Sequence, residues 1–227
     1  MKEFVARRIG LKYFEELFEK HYKEDYLKMR KYRSTRISYA TGRNGVMRED
    51  PRNIFKFYND LQTRPSNKTI IEAREFFTDL TKNADREDQA VKILADWVNR
   101  HARYQFDSDR WGSREYWSSP FDLWGQYQEF GYFEDDCDGW SALLYWAMTL
   151  IGIPPYRVHM WTGFATLKNG QHEGHANILY HSTVAPAAHI EGSFYPGENQ
   201  RNWLQYHKGH DRYAQTWFMF NEHEVII

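Results

Sequence analysis

The sequence predicts an α+β fold in which helices come first and an antiparallel sheet follows. Apolar residues recur at helical spacing as far as Ile151, whereas beyond Pro154 they alternate or run continuously as in strands. The change falls at Gly152-Ile153-Pro154, where the glycine can end a helix and the proline prevents its continuation. The chain has 227 residues, which is enough for one large domain with a real core.

The N-terminal part is predicted to be mostly helical. The predicted helices are 1–33, 52–62 and 69–82. The stretch 34–53 contains Gly42, Gly45 and Pro51 and is interpreted as a loop. We therefore divide the chain into a helical N-terminal extension, 1–85, and a core, 86–227.

The core begins with a helix for which Asp85 is the predicted N-cap, since acidic residues follow in its first turn. This helix should end near Ala102, and 104–130 should be irregular with one short helix after Pro120. A second strong helix should extend from about Cys137 to Ile151. The predicted strands are Tyr156–Ala165, Ala176–His181, Ala188–Phe194 and Gln215–Phe220, with a hairpin turn at Asn169-Gly170 and an edge strand at Glu224–Ile227.

Composition excludes several classes of function. The net charge of −1 gives no strong field to recruit nucleic acid or an anionic membrane. A single cysteine rules out an internal disulfide, and no apolar run approaches the roughly 20 residues of a membrane helix. The first residues lack the apolar stretch of a signal peptide, so the expected location is the cytoplasm, with association with a larger particle left open. Aromatic residues make up 18 % of the chain, and we interpret them mainly as packing residues, with a groove for an extended substrate as the alternative.

The single cysteine is the most informative residue, because Cys137 stands where the predicted helix begins. A thiol attacks as its thiolate, and an ordinary cysteine has a pKa of about 8.5. A helix N-terminus and a neighbouring imidazolium both stabilise the thiolate. His175 opens a strand-like segment and Glu191 lies on the next predicted strand, so the chain carries a nucleophile, a base and an orienting acid in order.

Acyl transfer also requires an oxyanion hole. The backbone N–H of Cys137 is one natural donor. A second donor is expected from the 104–128 region, and the residues considered are Tyr104, Trp117, Gln126 and Gln128.

Other interpretations of these residues remain open. A lone cysteine is often a small buried apolar residue, and His172 with His175 could bind a metal. Asp135, Asp136 and Asp138 would raise the pKa of a neighbouring thiol unless they point away, accept backbone hydrogen bonds or bind a cation. As oxygen donors they are also candidate calcium ligands.

Around these residues the chain resembles the transglutaminase-like superfamily of papain-like fold, and most closely its bacterial transglutaminase-like cysteine peptidases. The resemblance covers roughly residues 86–196. The matching segments are Trp97-Val98-Asn99, Tyr104-Gln105-Phe106-Asp107, Tyr116-Trp117-Ser118-Ser119-Pro120, Asp136-Cys137-Asp138, Leu150-Ile151-Gly152-Ile153-Pro154, Gly174-His175-Ala176 and Glu191.

The resemblance implies a papain/transglutaminase-like core, with the nucleophile helix packed on an antiparallel sheet, and a Cys137–His175–Glu191 triad. The chain departs from the family pattern in having Asp135 where glycine is usual, Glu191 where aspartate is common, and Gly139 where calcium-dependent members often carry an acid.

The predicted function is cysteine-dependent acyl transfer on a peptide or side-chain amide, with hydrolysis favoured by the narrower resemblance. The expected partner is a protein or peptide substrate, no cofactor is required, and calcium is an optional one. The alternatives are a protein-glutamine transglutaminase, and a binding or structural module of a cellular or viral assembly that keeps the fold and docks through 1–85.

Overall fold

The computed structural model describes residues 39–40, 47–48, 67–111, 117–166, 170–184, 187–191, 204–206, 213–223 and 225–226. The helices are α1 (Asn67–Leu80), α2 (Glu87–His101), α3 (Asp107–Trp111), α4 (Pro120–Phe130) and α5 (Cys137–Leu150), and a 3-10 turn covers Pro155–Arg157. The strands are β1 (Tyr39–Ala40), β2 (Met47–Arg48), β3 (Ala102–Tyr104), β4 (Phe133–Asp135), β5 (Val158–Thr166), β6 (His172–Tyr180), β7 (Ala188–Ile190), β8 (Leu204–Tyr206), β9 (Tyr213–Phe220) and β10 (Val225–Ile226).

The main sheet has six strands in the order β10-β9-β5-β6-β7-β8, and every neighbouring pair is antiparallel. The long strands β5 and β6 pair over their full length, with Gly163 opposite His175 and Trp161 opposite Asn177. Strand β7 follows with Ile190 opposite Ile178. The residue after β7 therefore lies beside the middle of β6.

Helix α5 forms the centre of the core. Its residues from Asp138 to Met148 are all buried, and the helix packs against β5 and β6 as well as α1, α2 and α4. An aromatic cluster of Phe77, Trp97, Trp124 and Trp146 joins these helices. On the sheet side, Ile178 and Tyr180 of β6 belong to the same core, so Leu179 between them faces the other way.

The predicted α+β class is confirmed, and helix α5 packed on an antiparallel sheet is consistent with a papain/transglutaminase-like core. The helices predicted near 69–82, 86–102 and 137–151 and the short helix after Pro120 are all present. Helix α1 packs in the same core as α5, so the part of 1–85 that the structure describes includes a core helix. The predicted helices 1–33 and 52–62 lie outside the described residues.

Some local predictions are wrong in detail. Arg86, and not Asp85, is the N-cap of α2, and it makes no side-chain cap bond. Instead the Gln89 side chain accepts a hydrogen bond from the Asp85 backbone N–H at 2.9 Å, so this N–H group just before the helix has an acceptor.

Segments expected to be irregular contain short elements. Helix α3 and the parallel pair β3–β4 lie in or beside 104–130, and β1 pairs with β2 within the predicted loop 34–53. Strand β6 begins four residues before the predicted start at Ala176. Strand β10 confirms an edge strand at the end of the chain. Asn169 of the predicted hairpin turn lies outside the described residues, although the strands on either side of it do pair.

None of the helices that the structure describes is both long enough and apolar enough to cross a bilayer.

Candidate active site

The N-terminus of α5 presents Cys137. Asp136 is the N-cap, in extended conformation, and its carboxylate accepts a hydrogen bond from the backbone N–H of Asp138 at 3.3 Å. This capping arrangement explains locally why the helix begins at Cys137. The cysteine as a whole residue is half-buried.

The Cys137 sulfur lies against the first half of β6. The backbone N–H of Ala176 donates to Sγ, with N and Sγ 3.4 Å apart. One turn into α5, Ser141 Oγ donates to the Cys137 carbonyl at 2.7 Å and reinforces the start of the helix. Cys137, at the start of α5, therefore lies next to Ala176, the residue that follows His175 on β6.

His175 and Glu191 form a buried pair. Nε2 of His175 lies 2.9 Å from Oε2 of Glu191, and both side chains are almost completely inaccessible. A carboxylate only accepts hydrogen bonds, so Nε2 carries the proton of this bond and Nδ1 is the basic nitrogen of the neutral ring. The structure thus brings together the predicted base and the predicted orienting acid across β6 and the end of β7.

Asn177, which sequence reasoning missed, contacts the same acid. Its Nδ2 donates to Oε1 of Glu191 at 2.8 Å, and its Oδ1 lies 3.0 Å from Nδ1 of His189. Asn99 of α2 reaches the backbone carbonyl of Glu191 at 3.5 Å. The signal for Asn177 was its position two residues after His175, which places both side chains on one face of a strand.

Asp135 and Asp136 stabilise local structure in ways that the sequence left open. Oδ1 of Asp135 accepts the backbone N–H of Asp136 at 2.9 Å. Burial, and then the neighbouring Asp136 carboxylate, raise the pKa of Asp135 to about 8. Burial also raises the pKa of Asp136, while hydrogen bonds from Asp138 and the nearby charge of His175 oppose that shift. The charge of His175 thus lowers the pKa of Asp136, the carboxyl group that caps α5.

Three carboxylates next to Cys137 form a candidate cation site. Oxygen atoms of Asp107, Asp136 and Asp138 lie within 4.8 Å of one another, and Asp107 and Asp138 are buried. Asp135 was predicted as a member but lies outside this group. Asp107 was not predicted, although it stands in the aromatic-Asp segment that carries part of the family resemblance. An all-oxygen donor set of this kind suits calcium.

The residues considered for the second oxyanion donor lie in different surroundings. Trp117 is buried and stacks on Phe220, with ring centroids 5.5 Å apart. Tyr104 is half-buried and packs edge-on against Trp140 of α5. The side chain of Gln128 is exposed on α4.

Gln126, the remaining residue considered for that donor, accepts the Glu134 backbone N–H at 3.2 Å. The oxyanion assignments stay predictions.

His172 does not share a site with His175. It is exposed at the start of β6, where its Nδ1 lies 3.1 Å from the Thr166 hydroxyl. The two histidines are three positions apart on one strand, so their side chains leave opposite faces. This arrangement argues against a metal held by both of them.

Comparisons with known proteins give remote structural likeness only. No family model matches the chain, and no curated protein matches its sequence. The structure is similar to that of Legionella pneumophila LapG, with 15% identity, a TM-score of 0.46, and 77% of this chain and 87% of that chain covered. The calcium-bound form of LapG gives the same identity and coverage with a TM-score of 0.47.

A protein from Cytophaga hutchinsonii, assigned provisionally as a cysteine protease, matches over 69% of this chain and 46% of its own, with 16% identity and a TM-score of 0.40. Likeness at this level does not indicate a shared activity.

Proposed function

We propose that this protein is a cysteine-dependent acyl-transfer enzyme that hydrolyses a peptide or side-chain amide through a thioester. The observation that supports this most directly is the meeting of three elements at one point. The N-terminus of α5 brings Cys137 Sγ to the backbone of β6, where the adjacent His175 is hydrogen bonded to the buried Glu191. A nucleophile, a base and an orienting carboxylate in this arrangement are the components that acyl transfer requires.

In the first half-reaction, His175 Nδ1 takes the thiol proton of Cys137. Sγ then forms a bond to the carbonyl carbon of the amide, and the carbonyl oxygen gains the negative charge. When the tetrahedral intermediate collapses, the C–N bond breaks and His175 returns its proton to the departing amine. The Ala176 N–H, which already donates to Sγ, and the partial positive charge of the helix N-terminus stabilise the thiolate.

Glu191 has two tasks in this mechanism. Its bond to Nε2 fixes the ring so that Nδ1 is the nitrogen that exchanges protons with sulfur. Its negative charge also stabilises the imidazolium that forms when His175 accepts the thiol proton. We assign the first oxyanion donor to the backbone N–H of Cys137, because the first N–H groups of a helix have no intrahelical acceptor.

In the second half-reaction, His175 removes a proton from water as the water oxygen attacks the thioester carbon. The C–S bond then breaks, the acyl group leaves as a carboxylic acid, and His175 returns the proton to Cys137 Sγ. An amine in place of water would give transamidation. The triad is the same in both cases, so the acceptor is the point that experiment must decide.

Asp107, Asp136 and Asp138 are proposed to hold a calcium ion next to the nucleophile helix. The donor set is all oxygen, and two of its carboxylates are buried. Such an ion would neutralise the carboxylates that crowd the start of α5 and so support the local structure. The chemistry of bond cleavage is left to Cys137 and His175.

The first test uses the fact that Cys137 is the only thiol in the chain. The rate of alkylation by iodoacetamide, followed by intact mass against pH, is compared in the parent, in His175→Ala and in His172→Ala. Rapid labelling below neutral pH that is lost in His175→Ala and kept in His172→Ala is the expected result. Labelling with the profile of an ordinary thiol, unchanged in His175→Ala, would overturn the proposed activation of Cys137 by His175 and favour a binding module.

A second test identifies the acyl acceptor. The protein is incubated with a peptide library that includes glutamine-containing peptides, with and without a biotinylated primary amine, and Cys137→Ala serves as the control. New peptide termini or glutamine deamidation that depends on Cys137 is the expected result. Amine incorporation in place of hydrolysis would reassign the protein to the transglutaminases.

A further inference from the structure

We propose that Asn177 and His189 are positioning residues that hold Glu191 in register with His175, so that the site extends from three residues to five. This inference rests on the proposed function and deepens it. The carrying observation is a continuous chain of buried hydrogen bonds from His189 through Asn177 to Glu191 and on to His175.

Glu191 is completely buried, so each carboxylate oxygen needs a hydrogen-bond donor. His175 provides one to Oε2 at 2.9 Å, and Asn177 provides one to Oε1 at 2.8 Å. With a donor on each oxygen, the carboxylate plane cannot rotate without breaking one of the two bonds. Asn177 therefore determines where Oε2 stands, and through Oε2 it determines the orientation of the His175 ring.

The chemistry of the amide also fixes the state of His189. Because a carboxylate accepts only, Asn177 must turn Nδ2 toward Glu191 and Oδ1 toward His189. An amide oxygen also accepts only, so His189 must carry a proton on Nδ1 at 3.0 Å from Oδ1. His189 is thereby assigned the Nδ1–H tautomer, the opposite of the Nε2–H tautomer assigned to His175.

The sheet makes this arrangement rigid. Asn177 is in the middle of β6, fully buried, and His189 is equally buried on β7. Trp161 of β5 packs edge-on against the His189 ring, with centroids 5.2 Å apart. The residues joined by these hydrogen bonds thus lie on neighbouring strands or directly after one. The precision of a site depends on side chains being held in this way by the surrounding structure.

The direct test is the tautomeric state of the two histidines, measured by 15N NMR of the full protein. The expected result is a proton on Nε2 of His175 and an Nδ1–H ring for His189. In Asn177→Leu, which removes the acceptor and the donor together, the His189 signal is expected to shift toward the Nε2–H form that predominates for histidine in solution. A His189 ring that is Nε2–H in the parent would overturn the inference, whatever the activity of the protein.

The second test measures the consequence at Cys137 through the alkylation rate at pH 6. Asn177→Asp keeps the shape and an acceptor toward His189 but replaces the donor toward Glu191 by a second carboxylate oxygen. We expect this rate to fall on the order of tenfold in both Asn177→Leu and Asn177→Asp, a part of what a general base contributes. His189→Phe should give a smaller fall, since it acts through Asn177.

Asn221→Leu is the matched control. Asn221 is also buried and also contacts a histidine, His159 at 3.2 Å, and its Nδ2 donates to the Pro155 carbonyl. It is expected to lower stability but leave the alkylation profile unchanged. Failure of the proposed function would appear as an ordinary thiol profile in the parent that His175→Ala leaves unchanged. Failure of the inference would appear as an activated thiol that the folded Asn177 variants leave unaltered.

Discussion

The carboxyl group of Asp135 occupies the space that a side chain at Gly139 would need. A Cβ at residue 139 would lie 2.8 Å from Asp135 Cβ and closer still to its carboxyl group. This contact gives a packing reason for glycine two residues after the cysteine. It also shows that the absence of an acid at this position leaves room for the buried Asp135 and does not by itself argue against a cation nearby.

Gly139→Ala is therefore expected to destabilise the protein. The added methyl group must displace a buried carboxyl group, and overpacking of this kind typically costs about 1–3 kcal/mol. The free energy of unfolding in urea is the measurement. Gly125→Ala is the matched control, because Gly125 is exposed within α4 and an added Cβ would meet no atom within 4 Å. That change should stabilise the protein by about 0.5–1 kcal/mol, and an equal loss in both variants would contradict the packing explanation.

The sequence predicts α5 well, because its signals are local. An apolar face and a glycine-proline stop lie close together along the chain, and α5 begins at Cys137 as predicted. The parallel pair β3–β4 could not be predicted in this way. Each of its strands has three residues, too few for alternation to show, and they are brought together by the packing of α4 against β4.

The same distinction between local and long-range information holds for the site. His175 and Glu191 follow from the order of residues along the chain and from the expected pairing of strands. Asp107 lies about thirty positions before Asp136 and Asp138 in the sequence, so only the fold brings it to them. Predicting the role of Asn177 would have required knowing which face of β6 meets Glu191. The prediction of Asp85 as the N-cap of α2 is wrong because the helix begins one residue later, after Arg86, and Asp85 instead donates its backbone N–H to the Gln89 side chain.

Calcium is expected to raise the melting temperature, because an ion that binds only the folded state stabilises it by mass action, by about 2.7 kcal/mol at a hundredfold excess over Kd. Asp107→Asn should abolish most of this increase. Asp109→Asn, an exposed change on the same short helix, should keep it. Melting curves in calcium and in chelator provide the measurement, and an increase of equal size in both variants would place the ion elsewhere.

A buried ion pair joins α2 to the 3-10 turn that precedes β5. Arg157 Nη1 donates to Glu87 at 2.9 Å, and the Tyr180 hydroxyl donates to Asp88 at 2.9 Å. Glu87→Ala is expected to cost about 3–5 kcal/mol, because it leaves the arginine buried without its carboxylate. The control is Asp96→Ala, which breaks the exposed pair with Lys92 and should cost less than about 1 kcal/mol although that bond is shorter, 2.6 Å. Urea unfolding compares the two.

Ionisation of Tyr180 is expected to make the free energy of unfolding depend on pH in the alkaline range. Burial, and then the Glu87 carboxylate, raise its pKa well above the ordinary value of 10.0. A group whose pKa is raised on folding contributes fully below its unfolded pKa, and the contribution is lost as pH rises from about 10 toward the folded value. The difference in unfolding free energy between the parent and Tyr180→Phe should therefore shrink above pH 10, by up to about 1.4 kcal/mol per pH unit. A difference that stays constant to pH 11.5 would show that Tyr180 ionises normally.

Glu191→Gln tests the charge of the orienting residue apart from its shape. Glutamine can still accept the His175 Nε2–H, but it no longer stabilises the imidazolium, and its amide must also find a place beside the Asn177 Nδ2 donor. We expect Cys137 alkylation at pH 6, and any hydrolysis found, to slow by about 10²–10⁴. Glu173→Gln, an exposed change on the same strand as His175, is the matched control and should react like the parent. Thermal melting of both variants separates a loss of fold from a loss of reactivity, and a folded Glu191→Gln protein with the parental alkylation profile would remove Glu191 from the proposed triad.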